Sequence, residues 1–216
     1  MSPSGKMPTA PVMAARTAVI LIIFVAVFTG LLAAVYLRTQ PTLEATALAE
    51  KTKLINDVLP SSAYDNNPLQ DALQLPAIAA FGLDEPSTVY RARRAGEPAA
   101  VVLEAVAPDG YSGKIRLLMA VGSDGKIYGV RVTQHRETPG LGDYIEPKKD
   151  KNKERPWITQ FNDLSPVDLS EREWHVKKDG GRFDSIAGAT VTPRAVVKAI
   201  RRAALWVAEN REQVFQ

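Results

Sequence analysis

Apolar and polar positions alternate with three different textures along the chain. Residues 17–37, TAVILIIFVAVFTGLLAAVYL, are uncharged and bracketed by Arg16 and Arg38. As a helix, this stretch would span about 31 Å, against about 30 Å for a hydrocarbon core. A secretory signal core is shorter, roughly 7–15 residues, and ends at a small-residue cleavage site. GLLAAVYLRTQ is a poor one, so the pattern predicts an uncleaved anchor rather than a signal or a buried core helix. Next, PTLEATALAEKTKLINDVLP places Leu43, Ala47, Leu54, Ile55, Val58 and Leu59 at helical spacing until Pro60, which predicts a stalk helix. Residues 61–86, rich in Pro, Asn and Ser, read mostly as linker.

From residue 87 the period shortens. STVYRARRAG, AAVVLEAVAP, KIRLLMAVG and KIYGVRVTQH are β-rich runs, and Asp124-Gly125 between the last two predicts a hairpin with both turn residues at positive φ. GLGDYIEPKK predicts a short helix after a glycine turn, and ITQFNDLS is irregular. EWHVKKDGGRFDSI predicts another hairpin, turning at Asp179-Gly180-Gly181. The chain closes on a helix with Thr192 as N-cap and Pro193 at its first position, its apolar face formed by Val196, Val197, Ile200, Ala204 and Val207. β-rich texture with a closing helix gives an α+β fold.

Composition removes several chemistries. There is no cysteine, which excludes disulfides, thiolate metal sites, iron–sulfur ligation and cysteine nucleophiles. His135 and His175 are the only histidines, and with no metal-ligand spacing around them no metal is expected. The net charge of +3 comes without a basic stripe interleaved with aromatics, so no nucleic-acid partner is expected. The basic run EPKKDKNKERP at 146–156 contains acids throughout and reads as a solvated loop. Lys6 and Arg16 precede the apolar span while Arg38, Lys51 and Lys53 follow it, so charge does not settle its orientation.

Two glycine-marked stretches carry the candidate chemistry. HRETPGLGDY, 135–144, leaves an apolar strand through a Pro139-Gly140 turn, where Gly142 would let the backbone approach a ligand. The same residues would also serve a plain β-to-helix connection. FDSIAGATVTPRAVVKAI, 183–200, leads small residues through Thr190 into the closing helix, whose N-terminus favours an anion. On the residues alone, Thr190 stays open between a turn or cap hydroxyl and a phosphate site. Without a neighbouring base it is a poor nucleophile, so any modification there would be made by another enzyme.

Together, ETPGLGD and FDSIAGATVTPRAVVKA resemble the FMN-binding domain of the G subunit of the Rnf electron-transport complex, shared with the C subunit of sodium-pumping NADH:quinone oxidoreductase. The likeness runs over nearly the whole chain, and the compact length and TPRAVVKAI favour the Rnf subunit. In that family a flavin transferase moves FMN from FAD onto the last threonine of Asp-x-x-(Ser/Thr)-Gly-Ala-Thr. Here the motif falls on Asp184, Gly188, Ala189 and Thr190, with Ala187 where the family has Ser or Thr. The resemblance thus implies a covalent FMN phosphoester on Thr190, with Ser185 and Thr192 as nearby fallback acceptors. Glu137, Thr138, Gly140, Leu141 and Gly142 would form a second wall.

It implies a cytoplasmic start (1–16), a transmembrane helix (17–37), a stalk and linker (38–86) and an FMN-binding domain (87–216) on the periplasmic face of a bacterial inner membrane. The implied role is electron relay among subunits that exchange electrons between ferredoxin and NAD with ion movement, without complete turnover by this chain alone. The rival readings are a non-covalent FMN sensor and a cofactor-free scaffold.

Overall fold

A computed structural model describes residues 9–216, so Lys6 lies outside the described residues. These residues divide between Lys51 and Thr52 into two compact units. The first is built by helix α1 (Ala10–Val58), whose residues from Val12 to Leu37 are exposed on every side. Among the described residues it is the one helix long and apolar enough to cross a membrane. A helix that is apolar all round needs an apolar surrounding rather than one buried face. The anchor and the stalk expected as separate elements are one continuous helix.

In the second unit, the last turns of α1 bury Ile55 and Val58, with Leu59 just beyond. Leu43, Ala47 and Leu54, predicted to share their face, are exposed. Five strands follow: β1 (Ala72–Leu75), β2 (Ser87–Arg94), β3 (Glu97–Gly110), β4 (Gly113–Gly122) and β5 (Ile127–Gln134). They form one antiparallel sheet in chain order. Alternation sorts the side chains. One face, with Val101, Leu103, Leu117 and Met119, packs on helix α2 (Val191–Glu209). The other, with Val102, Leu118 and Ala120, packs on Ile55, Val58 and Leu59. The α2 residues Val196, Val197, Ile200, Ala204 and Val207 are all buried, as their spacing predicts. The short helix α3 (Arg211–Phe215) ends the chain.

Four local expectations need correction. Residues 61–86, read mostly as linker, contribute β1 and the fully buried Phe81. In the Asp124-Gly125 hairpin only Gly125 takes positive φ, because Gly122 C=O accepts the Gly125 N–H while its own N–H donates to Lys126 C=O. Residues 173–186, expected to form a hairpin, make no ladder: Val176 and Phe183 share one isolated bridge around a 3-10 turn, Lys177–Asp179. The irregular ITQFNDLS includes most of a 3-10 helix, Trp157–Phe161, that buries Trp157, Ile158 and Phe161.

β1 is held by charge as much as by pairing. The Asp71 carboxylate accepts Arg91 Nε at 2.6 Å and Arg93 Nε at 2.7 Å, while Arg93 Nη2 donates to the Gln216 carbonyl at 2.7 Å. Hydrogen bonds from Arg93 and Arg91 hold the Asp71 carboxyl below its ordinary 3.8. A depressed folded value means this stabilisation is present above the unfolded pKa and is lost as pH falls through the folded one. Asp71→Asn should therefore lower Tm at neutral pH and flatten the acid limb of Tm against pH. An unchanged acid limb would show that the clamp does not contribute.

Candidate functional site

Glu137 organises one wall of the site. Beyond the end of β5, the His135 ring accepts the Glu137 N–H on Nδ1 at 3.1 Å and faces Glu146 Oε2 with Nε2 at 3.4 Å. That arrangement sets the neutral ring as the Nε2–H tautomer. His135 thus orients the chain instead of facing a substrate, and His175 lies in the wall of a different cavity. Glu137 is 5% exposed. Its Oε1 accepts the Ser112 N–H at 3.0 Å, and its Oε2 accepts the Thr192 hydroxyl at 2.6 Å. One carboxylate therefore pins the β3–β4 turn, the exit of β5 and the start of α2. Gly142 sits against this knot: a Cβ there would lie 2.7 Å from Glu137 Oε2 and 2.9 Å from Thr192 Oγ1. Gly140 N–H donates to Asp143 Oδ1 at 2.8 Å and closes the turn.

The second wall rests on a row of aromatic rings. Tyr144 meets Trp157 edge-on at 5.7 Å, Trp157 meets Phe161 at 5.4 Å, and Phe161 stacks on Phe183 at 4.7 Å. Burial pushes the Tyr144 phenol up to about 12, so it stays neutral at physiological pH. Trp157 Nε1 donates to the Asp184 carbonyl at 2.6 Å, and Gln160 Oε1 accepts the Asp184 N–H at 2.9 Å. These two bonds fix the backbone where the loop 184–190 begins. The mixed-charge run supplies part of this scaffold, since its buried Asp150 accepts the Trp157 N–H at 2.5 Å.

After one turn closed by Ala189 N–H to Ile186 C=O at 3.0 Å, with Gly188 at φ +84°, the chain enters α2. A left-handed φ suits glycine, and no atom lies within 4 Å of where its Cβ would stand. Trp157→Phe should keep the ring contacts but remove the hold on Asp184. The expected cost is about 1 kcal/mol, with faster amide exchange confined to 184–190. Exchange that rises across the whole sheet would overturn the local role.

The N-cap of α2 is Thr190, not Thr192 as the sequence suggests, and Pro193 is the third helical residue. Thr192 is 2% exposed and its hydroxyl is committed to Glu137, so it could accept a group only by breaking that bond. Thr190 is 9% exposed and makes no side-chain capping bond, so its hydroxyl is not committed to the helix.

The two walls meet at a cleft of about 260 Å³. Glu137, Thr138, Leu141 and Gly142 line one side; Gly188, Ala189, Val191 and Thr192 line the other. Thr190 sits between lining residues without being one. Gly140 lies on the exposed turn outside the cleft. Asp184 faces another cavity, its carboxylate 2.5 Å from Lys177 Nζ, and Ala187 is exposed. Sequence reasoning missed Tyr111 and Val191, which stand at the cleft's edge with 71% and 43% exposure. The signal for Tyr111 was an aromatic in the tight turn Gly110-Tyr111-Ser112-Gly113.

Residues 110–205 match the family model for the FMN-binding domain. The chain is also 44% identical over 200 residues to the G subunit of the ion-translocating oxidoreductase complex of Pseudomonas aeruginosa (strain UCBPP-PA14), covering 93% of this chain and 91% of that one. Similarity to the G subunit of the same complex is 40% over 201 residues in Pseudoalteromonas atlantica and 37% over 199 in Vibrio cholerae, each covering more than nine-tenths of both chains. The chain belongs to the G-subunit family of ion-translocating oxidoreductase complexes. The FMN-binding domain match opens at Gly110, in the β3–β4 turn, and closes at Leu205, within α2. It thereby takes in both walls of the cleft and every partner of Glu137, while β1, β2 and most of β3 lie outside it. The G-subunit relatives extend over those strands and the apolar helix as well.

Proposed function

We propose that this G subunit carries FMN as a phosphoester on Thr190 and relays electrons between other subunits of its complex. The observation that supports this best is the meeting of the two glycine-marked stretches at one cleft beside Thr190. The local structure fits the group. The start of α2 presents backbone N–H groups that have no intrahelical acceptor, with the dipole oriented for a phosphate. Leu141, Val191 and Tyr111 offer exposed apolar surface, of the kind a flat ring system covers. Gly142 and Gly188 keep side chains out of the approach. When bound, FMN supplies the electron-transfer chemistry; the chain supplies position and exclusion of water.

Attachment is the work of a flavin transferase acting on FAD. The Thr190 hydroxyl oxygen bonds to the phosphorus carrying the flavin, the pyrophosphate P–O bond breaks, AMP leaves, and the hydroxyl proton passes to a base of the transferase. A covalent link retains the cofactor on the periplasmic side and keeps it at high effective concentration beside its partners. In this reading residues 17–37 of α1 span the inner membrane, residues 1–16 start in the cytoplasm, and the FMN-binding domain takes in β1 and Phe81 as well as residues 87–216. Electrons pass by way of this subunit during exchange between ferredoxin and NAD, coupled to ion translocation.

The test is co-expression with a flavin transferase, a denaturing gel under ultraviolet light, and the mass of the peptide containing Thr190. A fluorescent band whose peptide is heavier by one FMN supports the assignment. A dark band from a yellow native protein would favour non-covalent binding, and a colourless protein would favour a scaffold.

A further inference from the structure

The run 146–156 reads as a mixed-charge loop, with three carboxylates set among Lys148, Lys149, Lys151, Lys153 and Arg155. The fold engages two of those carboxylates. Glu146 faces His135 Nε2 at 3.4 Å. Asp150 is buried, its oxygens accepting the Asn152 N–H at 2.9 Å and the Trp157 N–H at 2.5 Å. Glu154 is then the one exposed carboxylate beside five exposed cations. None of the five makes an ion pair among the described residues. What composition presents as a balanced, solvated loop is a basic patch.

The patch is held in one shape. Asn152 Oδ1 accepts the Arg155 N–H at 3.0 Å, and Lys153 Nζ donates to the Lys148 carbonyl at 2.7 Å, which leaves the ammonium charge unneutralised. A loop already ordered loses little entropy when it is covered. Like charges held side by side repel, and an acidic surface laid over them relieves the repulsion.

Its surroundings favour a protein over a lipid surface. Asn152 and Arg155 line a recess of about 410 Å³ whose far wall is Asp184 and Ser185, at the start of the loop that carries Thr190. A bilayer presents a plane of headgroups, which would meet the lysines and leave the recess unfilled. A protein can lay carboxylates over the lysines and seat a side chain in the recess. Asp150 and Asp184 also line that recess, so the side chain that enters is polar and uncharged.

We propose that residues 148–155 dock the acidic face of another redox subunit, which comes up to the attachment loop at 184–190. Electron-transfer encounters are small and short-lived, and opposite charge speeds their association. That the docked subunit exchanges electrons here rests on the flavin reading above; the docking rests on the patch itself.

The experiment treats the assembled complex in nanodiscs with a water-soluble carbodiimide, which joins a lysine amine to a carboxylate in contact with it. Lys177 and Asp184, 2.5 Å apart, give the internal reference link. Peptide mass mapping should find Lys148, Lys149, Lys151 or Lys153 joined to acidic residues of one other subunit. The yield should fall as salt rises from about 0.05 to about 0.5 M, where the screening length drops to a few ångströms. Lys151→Glu combined with Arg155→Glu should cut the links at the three remaining lysines roughly tenfold, the low end of what charge steering contributes. Thr190→Ala should link as the parent does, so the docking and the flavin assignment fail separately. Links confined to this chain would overturn the proposal in favour of a solvated loop. Protection of the four lysines from acetylation by phosphatidylglycerol, in nanodiscs holding the full chain alone, would overturn it in favour of a membrane surface.

Discussion

Thr190→Ala should abolish covalent flavin completely, with no transfer to a neighbouring hydroxyl. The second half of that expectation comes from the structure. Thr192 is two residues away and would look interchangeable in the string TVTP, yet it is 2% exposed and its hydroxyl donates to Glu137 at 2.6 Å. Presenting it to a transferase would mean unwinding the first turn of α2 and stranding a buried carboxylate, at a cost of several kcal/mol. Ser185 is closer to the surface, but it precedes the Ile186–Ala189 turn and lies against the cavity that holds Asp184. It has neither the helix N-terminus nor the glycine beside it. The measurement is intact mass after co-expression with the transferase: the parent chain heavier by one FMN, Thr190→Ala unshifted, Ser185→Ala and Thr192→Ala shifted like the parent. An FMN adduct on Thr190→Ala, mapped to Ser185 or Thr192, would sink the assignment of a single acceptor.

The same contrast shows what could be read from residue order. Strands β2 to β5 were legible because alternation of side chains and short turns are local signals. The closing helix was legible by its face, but its start was not: Thr192-Pro193 imitates an N-cap and first position, and only the bond to a carboxylate 55 residues earlier draws Thr192 inside. Strand β1 hid for a related reason. Four residues, ALQL, carry too little periodicity to announce a strand, and its place depends on Asp71 meeting Arg91 and Arg93 across the sheet. The site divided in the same way. Glycines and the threonine were visible as a pattern, whereas the aromatic row from Tyr144 to Phe183 draws on three separated stretches whose proximity no local rule supplies.

Glu137 should show the sharpest split between two substitutions at one position. In Glu137→Ala the buried Thr192 hydroxyl loses its acceptor, and so does the Ser112 N–H in the exposed β3–β4 turn, where water can take its place. The buried donor and the lost turn bond together imply a loss of about 2 kcal/mol, which for a unit of this size lowers Tm by roughly 4–8 °C. In Glu137→Gln the amide oxygen can still accept from Ser112 N–H, and the amide N–H can donate to the Thr192 oxygen in place of the bond it received. Stability should then stay within about 1 kcal/mol of the parent. The three elements joined by Glu137 are those that build the cleft, so flavin retention should follow Tm: kept in Gln, reduced in Ala. A carboxylate needed for its charge would separate the two, with Glu137→Gln as stable as the parent yet altered in flavin content or absorption spectrum. Thermal denaturation and flavin absorbance on the same three samples decide between a clasp that works through hydrogen bonds and one that works through charge.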